Sequence, residues 1–174
     1  ATTYSVTVTG TTSGESAALT KSTTVNKGAS VDLNFNSYKA LASSSANTEL
    51  LTDTENFSLK SNNNKAALKD YTATVTMNEK TVSFTKAVQT GSNGKAFIIT
   101  PKSDGTLELC FSCTNSSGIS KSQNLTVSRT GITTVTAALT GTASVIKIEG
   151  VKADTAITCA IAGERLNFFG AVLY

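Results

Sequence analysis

Apolar and polar residues alternate with a period of two along most of this chain, and no segment sustains the helical period of roughly 3.6 residues over three turns. That pattern restricts the fold to strands. Its clearest instance is the stretch 105–129, GTLELCFSCTNSSGISKSQNLTVSR. Leu107, Leu109, Phe111 and Cys113 alternate with Glu108, Cys110 and Ser112, and after a Ser/Asn-rich loop Leu125 and Val127 alternate with Asn124, Thr126 and Ser128. The reading is a hairpin: a strand, a long loop placed to carry function, and a return strand.

The same rhythm recurs on both sides of it. Strands are expected at 2–9, 17–25, 30–35, 57–59, 71–77 and 81–84, with turns at Asn26-Lys27-Gly28, at Asn62-Asn63-Asn64 and at Asn78-Glu79-Lys80. Residues 38–51, with Leu41, Leu50 and Leu51 among Ala and Ser, allow one short helix or a loop. The segment 89–94 reads as a loop before the apolar strand 96–100, and PKSDG at 101–105 is a turn, with Pro fixing φ and Asp-Gly tolerating positive φ. Further strands fall at 135–139, 145–148, 156–161 and 166–173, punctuated by Gly131, Gly141, Gly150 and Gly163. The last, LNFFGAVL, is apolar on both faces, as a strand well inside the fold would be. The fold class is all-β, a two-sheet antiparallel sandwich of jelly-roll-like type. Residues 1–174 are expected to form a single module. Residues 53–174 are its core, and 1–52 supply N-terminal strands or an extension, integrated because Val6, Val8, Val31, Leu33 and Phe35 need a face to cover them.

Composition narrows the function. The net charge of +3 is too small to argue for nucleic acid or a membrane surface as partner. Lys21, Lys27 and Lys39 balance Glu15, Asp32 and Glu49 in the first 52 residues, so the excess lies later in the chain. No apolar run reaches the length of a membrane span. Low charge density and many hydroxyls set the expectation of a secreted, extracellular module, and the start directly in a Thr/Val alternation reads as that of a processed or subcloned fragment. Cys110 and Cys113 sit three apart in a strand and so on opposite faces, which disfavours a shared metal site; buried free thiols are preferred over a Cys113–Cys159 disulfide.

The chain has no histidine, which removes Ser-His-Asp and Cys-His catalysis and every His-based metal site. No Gly-rich phosphate loop joins a strand to a helix. The nearest pair of acids, Asp53 and Glu55, reads first as a solvated bend and second as oxygen ligands for a structural Ca²⁺. No catalytic residue and no cofactor is expected, and the chain is read as a non-enzyme.

The run 84–174 carries a resemblance. FTKAVQTGSNGKAFIITPKSDGTLELCFSC leads into NSSGISKSQNLTVSR, then Gly-punctuated strands, then GERLNFFGAVLY. This order resembles the β-sandwich carbohydrate-binding modules appended to secreted bacterial pectate lyases and other plant-cell-wall-degrading enzymes. In those modules a Gly-x-Leu-x-Val strand, a Ser-Ser loop and an Arg-x-Leu-x-Leu strand precede a final Asn-x-Tyr-x-Gly/Ile-x-Val strand. The Arg that commonly follows the Ser loop is absent here, and Lys121, Gln123 and Asn124 stand in its place. The resemblance implies a polysaccharide partner and tethering to a catalytic domain. The chain has no Trp with which to stack on a sugar ring, and its aromatics are Tyr4, Tyr38, Tyr71, Tyr174 and seven Phe. The pectin-binding relatives imply instead that cations grip uronate carboxylates along the polymer. The candidates are Lys95, Lys102, Lys121, Lys147, Lys152 and Arg165. The rival reading is an Ig-like or adhesin-type structural module of a surface protein, with no sugar ligand.

Overall fold

The computed structural model of the chain describes residues 2–12, 15–25, 30–52, 55–91, 95–130 and 132–174. The turn expected at Asn26-Lys27-Gly28 and residue Asp53 of the acidic pair lie outside them. The chain forms two compact units. The smaller contains β1 (Thr2–Thr12) and β2 (Glu15–Val25), paired antiparallel without a break from Thr2 opposite Val25 to Thr12 opposite Glu15.

The larger unit, Ser30–Leu173, begins with β3 (Val31–Asn34), β4 (Phe57–Asn62), β5 (Ala66–Lys69), β6 (Ala73–Met77) and β7 (Lys80–Phe84). It continues through β8 (Ala87–Thr90), β9 (Lys95–Pro101), β10 (Gly105–Thr114), β11 (Gln123–Arg129) and β12 (Ile132–Leu139). It closes with β13 (Ser144–Val151), β14 (Ile157–Ile161) and β15 (Arg165–Leu173). One sheet runs β13-β10-β15-β8-β5, with β3 also on β15; the other runs β12-β11-β14-β9-β4. All pairs are antiparallel. The all-β sandwich expected from the alternation is what the chain forms.

A compact boundary falls between the hairpin and Ser30, not at 52/53. Leu33, Phe35, Leu50 and Leu51 are buried in the core of the larger unit. The inward rows of both sheets share that core: Leu107, Leu109, Phe111 and Phe168 from one, Phe57, Phe97, Ile99 and Leu125 from the other. Phe168 is its hub, with ring centroids 5.0 Å from Phe111 and 5.8 Å from Phe97 across the sandwich. Full burial of such a side chain is worth about 1.5–3 kcal/mol.

The hairpin read at 105–129 is corrected. β10 lies inside the first sheet between β13 and β15, whereas β11 lies in the second between β12 and β14. Residues 115–122 therefore form a corner from one sheet to the other. The physical reason lies in the second face of β10. Glu108, Cys110, Ser112 and Thr114 are buried as well, so the strand needs neighbours on both edges and a cover on both faces. The outer cover comes from the two-stranded pair β6–β7. Its turn residues Asn78 and Glu79 both have positive φ, the twist that two-residue hairpin loops require. The Asn78 N–H donates to Glu108 Oε2 at 2.7 Å, and Phe84 packs on Phe169.

Of the short helix or loop allowed at 38–51, the chain forms the loop. The Ser43 hydroxyl accepts from Ser45 N–H and Thr48 Oγ1, a local competitor to helical bonds, while Leu50 N–H and Asn47 N–H donate to Leu59 and Ser61 carbonyls along β4. Gln89 and Thr90 belong to β8 rather than to a loop. Both are buried, and their polarity is met inside the fold.

Candidate functional site

The strand order gives the sandwich two ends. At one end every described connection between strands crosses from sheet to sheet: β4 to β5, β10 to β11, β12 to β13 and β14 to β15. Five of the six cationic candidates divide between the ends, and Lys147 lies within the edge strand β13. Lys102 and Lys152 are at the far end, where Lys102 pairs with Asp154 at 3.1 Å and Lys152 with Asp104 at 2.8 Å. The Ala153 N–H donates to Asp104 Oδ1 and Asp154 N–H to the Pro101 carbonyl, so the quartet ties the turn after β9 to the turn after β13. It is a brace without net charge. Lys147, on the outer edge strand β13, pairs with Glu149 at 3.1 Å.

Lys95, Lys121 and Arg165 are the three that the fold brings to the crossing end. Lys95 opens β9 opposite Ile161, and Arg165 opens β15 opposite Thr114. The exposed Lys121 donates its backbone N–H to the Cys113 carbonyl. Arg129, which carries a seventh cation after residue 94 and was not among the candidates, donates from Nη2 to the Glu149 and Gly150 carbonyls and pins β11 to β13.

Arg165 is held by a buried side-chain network. Its Nη1 donates to Gln89 Oε1 at 3.2 Å. Gln89 is buried, and its Nε2 donates to Asn167 Oδ1 at 2.9 Å, to Tyr71 Oη at 3.2 Å and to Thr114 Oγ1 at 3.4 Å. Asn167, fully buried, donates from Nδ2 to Ser112 Oγ and Thr114 Oγ1, each at 3.1 Å. These side chains lie on the outward rows of β8, β10 and β15, and Tyr71 just precedes β6. A satisfied buried network of this kind fixes the orientation of the groups at its rim. Here the rim groups are the half-buried Tyr71 and Arg165. The Arg165 Nε is buried without a hydrogen-bond partner.

The corner 115–122 stands beside this rim. The Asn115 side-chain oxygen accepts from the N–H groups of Ser117 and Ile119, both at 2.9 Å, and the Ile119 carbonyl accepts from Asn115 N–H. Gly118 has φ +77°, and a β-carbon added to it would lie 3.4 Å from Tyr71 Oη. The Ser120 hydroxyl accepts from Gly141 N–H at 2.8 Å, tying the corner to the neighbouring connection. This fixed loop holds Ile119 61% exposed. A shallow groove lined by Ser122, Gln123, Asn124, Ala138, Leu139 and Thr140 opens next to Lys121, and Gln123 Oε1 accepts from Gly163 N–H two residues before Arg165.

Sequence reasoning missed Tyr71, Gln89, Asn167 and Ile119. Asn167 left one signal: it is the only polar residue in LNFFGAVL, a strand apolar on both faces. The chemistry gathered here is a fixed guanidinium, a phenol, amides and hydroxyls, which donate and accept hydrogen bonds. Among the described residues no group of three or more Cys, Asp or Glu is gathered as metal ligands.

No protein-family model matches the chain, and no curated protein matches it. Among solved structures, it is similar to the carbohydrate-binding module TmCBM61 in complex with beta-1,4-galactotriose, at 14% identity and a TM-score of 0.36 over 70% of this chain and 90% of that one.

Proposed function

We propose that this chain is a non-catalytic carbohydrate-binding module whose ligand rests on the crossing end of the sandwich, against Arg165, Tyr71 and the 115–122 corner. The reading rests on one observation: a half-buried guanidinium fixed by Gln89 in a buried network that surfaces again at Tyr71. Groups held in place before a ligand arrives lose little entropy on binding, and a forked guanidinium matches vicinal hydroxyls or a carboxylate. Ile119 offers an apolar contact for a sugar face.

A uronate-bearing polymer such as pectin is the ligand class in which Arg165, Lys121 and Lys95 would all be used, one carboxylate per sugar meeting successive cations. Lys102, Lys147 and Lys152 are engaged by acids and are left out of the site. Secretion, and attachment to a catalytic domain acting on the same polymer, complete the proposal.

The test is affinity electrophoresis of the full chain in gels containing polygalacturonate, methyl-esterified pectin, β-1,4-galactan, xylan and β-glucan. Galactan is included because TmCBM61 was solved with a galactotriose. Retardation by polygalacturonate that fades with esterification and salt supports the uronate ligand. Arg165→Ala and Tyr71→Ala should abolish retardation in folded protein, while Lys147→Ala should leave it unchanged. Retardation by none of the polymers would sink the carbohydrate reading and favour a structural module.

A further inference from the structure

The groove beside Lys121 and the Arg165 rim lie on opposite edges of β10. The groove is built on the first rungs of the β11–β12 ladder, Gln123 opposite Leu139 and Asn124 opposite Ala138, and is lined also by Ser122 and Thr140. Its volume of about 350 Å³ lies at the lower end of ligand clefts. On one edge of β10, Thr114 stands opposite Arg165; on the other, the Cys113 N–H donates to the Thr140 carbonyl at 2.6 Å. The backbones of Arg165 and Thr140 are therefore two strand spacings apart, roughly 10 Å. Neighbouring units of one sugar chain can bridge that separation.

The two places differ in charge. The rim presents a guanidinium, whereas the described residues that line the groove carry amides, hydroxyls and aliphatic groups only. The charges next to the groove along the chain oppose each other. Lys121 precedes Ser122, and the half-buried Glu164 follows Gly163, whose N–H donates to Gln123 Oε1 at 3.3 Å. The exposed Asn124 amide and the exposed Ser122 and Thr140 hydroxyls can exchange hydrogen bonds with sugar hydroxyls. A carboxylate entering here would lose hydration while meeting Glu164 as well as Lys121, and would gain no net attraction. The groove is also formed in advance. A β-carbon on Gly141 would lie 2.5 Å from the Ser120 side chain, so the 115–122 corner and the connection after β12 pack as one piece.

We propose that this groove is a second subsite, which takes an uncharged, hydroxyl-bearing sugar unit adjoining the unit held by Arg165. The inference rests on the carbohydrate reading above and narrows its ligand. The chain bound best is one in which an acidic sugar stands next to a neutral one, not an unbroken polyuronate. Arg165 selects the acidic unit, and Asn124 and Thr140 select its neighbour.

The experiment is isothermal titration calorimetry of the full chain with three probes: trigalacturonate, trigalacturonate carrying one methyl ester, and a tetrasaccharide alternating galacturonate with rhamnose. The last two distinguish a neutral sugar from an esterified uronate as the occupant of the groove. At least one of them should bind about tenfold more tightly than trigalacturonate, the gain expected of two further hydrogen bonds. The double variant N124A/T140A should remove that gain, while Arg165→Ala should weaken all three probes. Trigalacturonate binding as tightly as both other probes overturns the second subsite and leaves the carbohydrate reading standing. A gain that survives in N124A/T140A overturns it as well, since its source would lie outside the groove. Binding of none of the probes overturns the uronate ligand and this subsite together.

Discussion

Gln89 on β8 stands opposite Asn167 on β15, and its Nε2 donates to Asn167 Oδ1 at 2.9 Å in a site closed to water. Through this bond three strands share one network, since Asn167 also donates to Ser112 and Thr114 of β10. Asn167→Leu keeps the side-chain volume and leaves the Gln89 amide and two hydroxyls short of a partner. Unsatisfied buried groups of this kind cost on the order of 1–3 kcal/mol, so a loss of about 3 kcal/mol is expected in urea unfolding. A loss below about 1 kcal/mol would mean that the network is not what holds these strands in register.

Gly170 faces a different constraint, one of space. A β-carbon there would collide with the Leu33 carbonyl of β3 and lie 2.7 Å from the Phe84 ring. Its φ is unremarkable, so the demand is for close approach of two backbones. Gly170→Ala should therefore cost about 3 kcal/mol through overpacking, measured by thermal unfolding. Gly150→Ala makes the contrast. Its surroundings are open and its φ is +62°, so only the left-handed backbone penalty of about 1–2 kcal/mol applies. Equal costs at the two sites would contradict this account.

The three cysteines are free and buried. Burial pushes the Cys110 thiol from its ordinary 9.0 up to about 12 and raises Cys159 further in the same direction. Cys113 is raised by burial first and by the Glu164 carboxylate second. In the unfolded chain these thiols ionise at their ordinary value, so between pH 9.0 and about 12 the folded state holds protons that the unfolded state has released. Stability must then fall as pH rises through that window. In the native protein a thiol reagent at pH 8 should label none of the three within the time that labels all of them in denaturant. Rapid native labelling of Cys110 would show its outer cover, β6–β7, to be open.

The strands were legible because alternation is local. Leu107, Leu109, Phe111 and Cys113 do line one face of β10, and Asn78-Glu79 does turn a hairpin. Pairing was not legible. The patterns of 105–114 and 123–129 each specify an inward row without saying which sheet supplies the neighbours, and so a crossing corner looked like a hairpin. The outward row of β10 hid the site for a related reason. Ser112, Thr114 and Gln89 look solvent-facing in sequence, and only the neighbouring strands show that they are buried together. The lysines pose the opposite difficulty. Lys102 and Lys152 meet acids 52 and 48 residues away, separations at which no local pattern distinguishes a brace from a binding cation.

That brace gives the last prediction. The Lys152 ammonium bonded to Asp104, and then the Ala153 N–H, hold the Asp104 carboxyl below the ordinary carboxylate value. A group whose folded pKa is depressed stabilises the fold above its unfolded pKa, and that contribution is lost as pH falls through the folded value. Lys152→Ala removes the larger cause and leaves the smaller, so Asp104 should titrate closer to its ordinary value without fully reaching it. A carboxyl-carbon NMR titration reads this directly. Asp104→Asn keeps an acceptor for Ala153 N–H while removing the charge, and should flatten the acid limb of the stability profile. If the Asp104 midpoint is the same with and without Lys152, the Lys152–Asp104 pair is a surface contact of no electrostatic consequence, and the turns after β9 and β13 are joined by the Lys102–Asp154 pair and by the bonds of the Ala153 and Asp154 N–H groups.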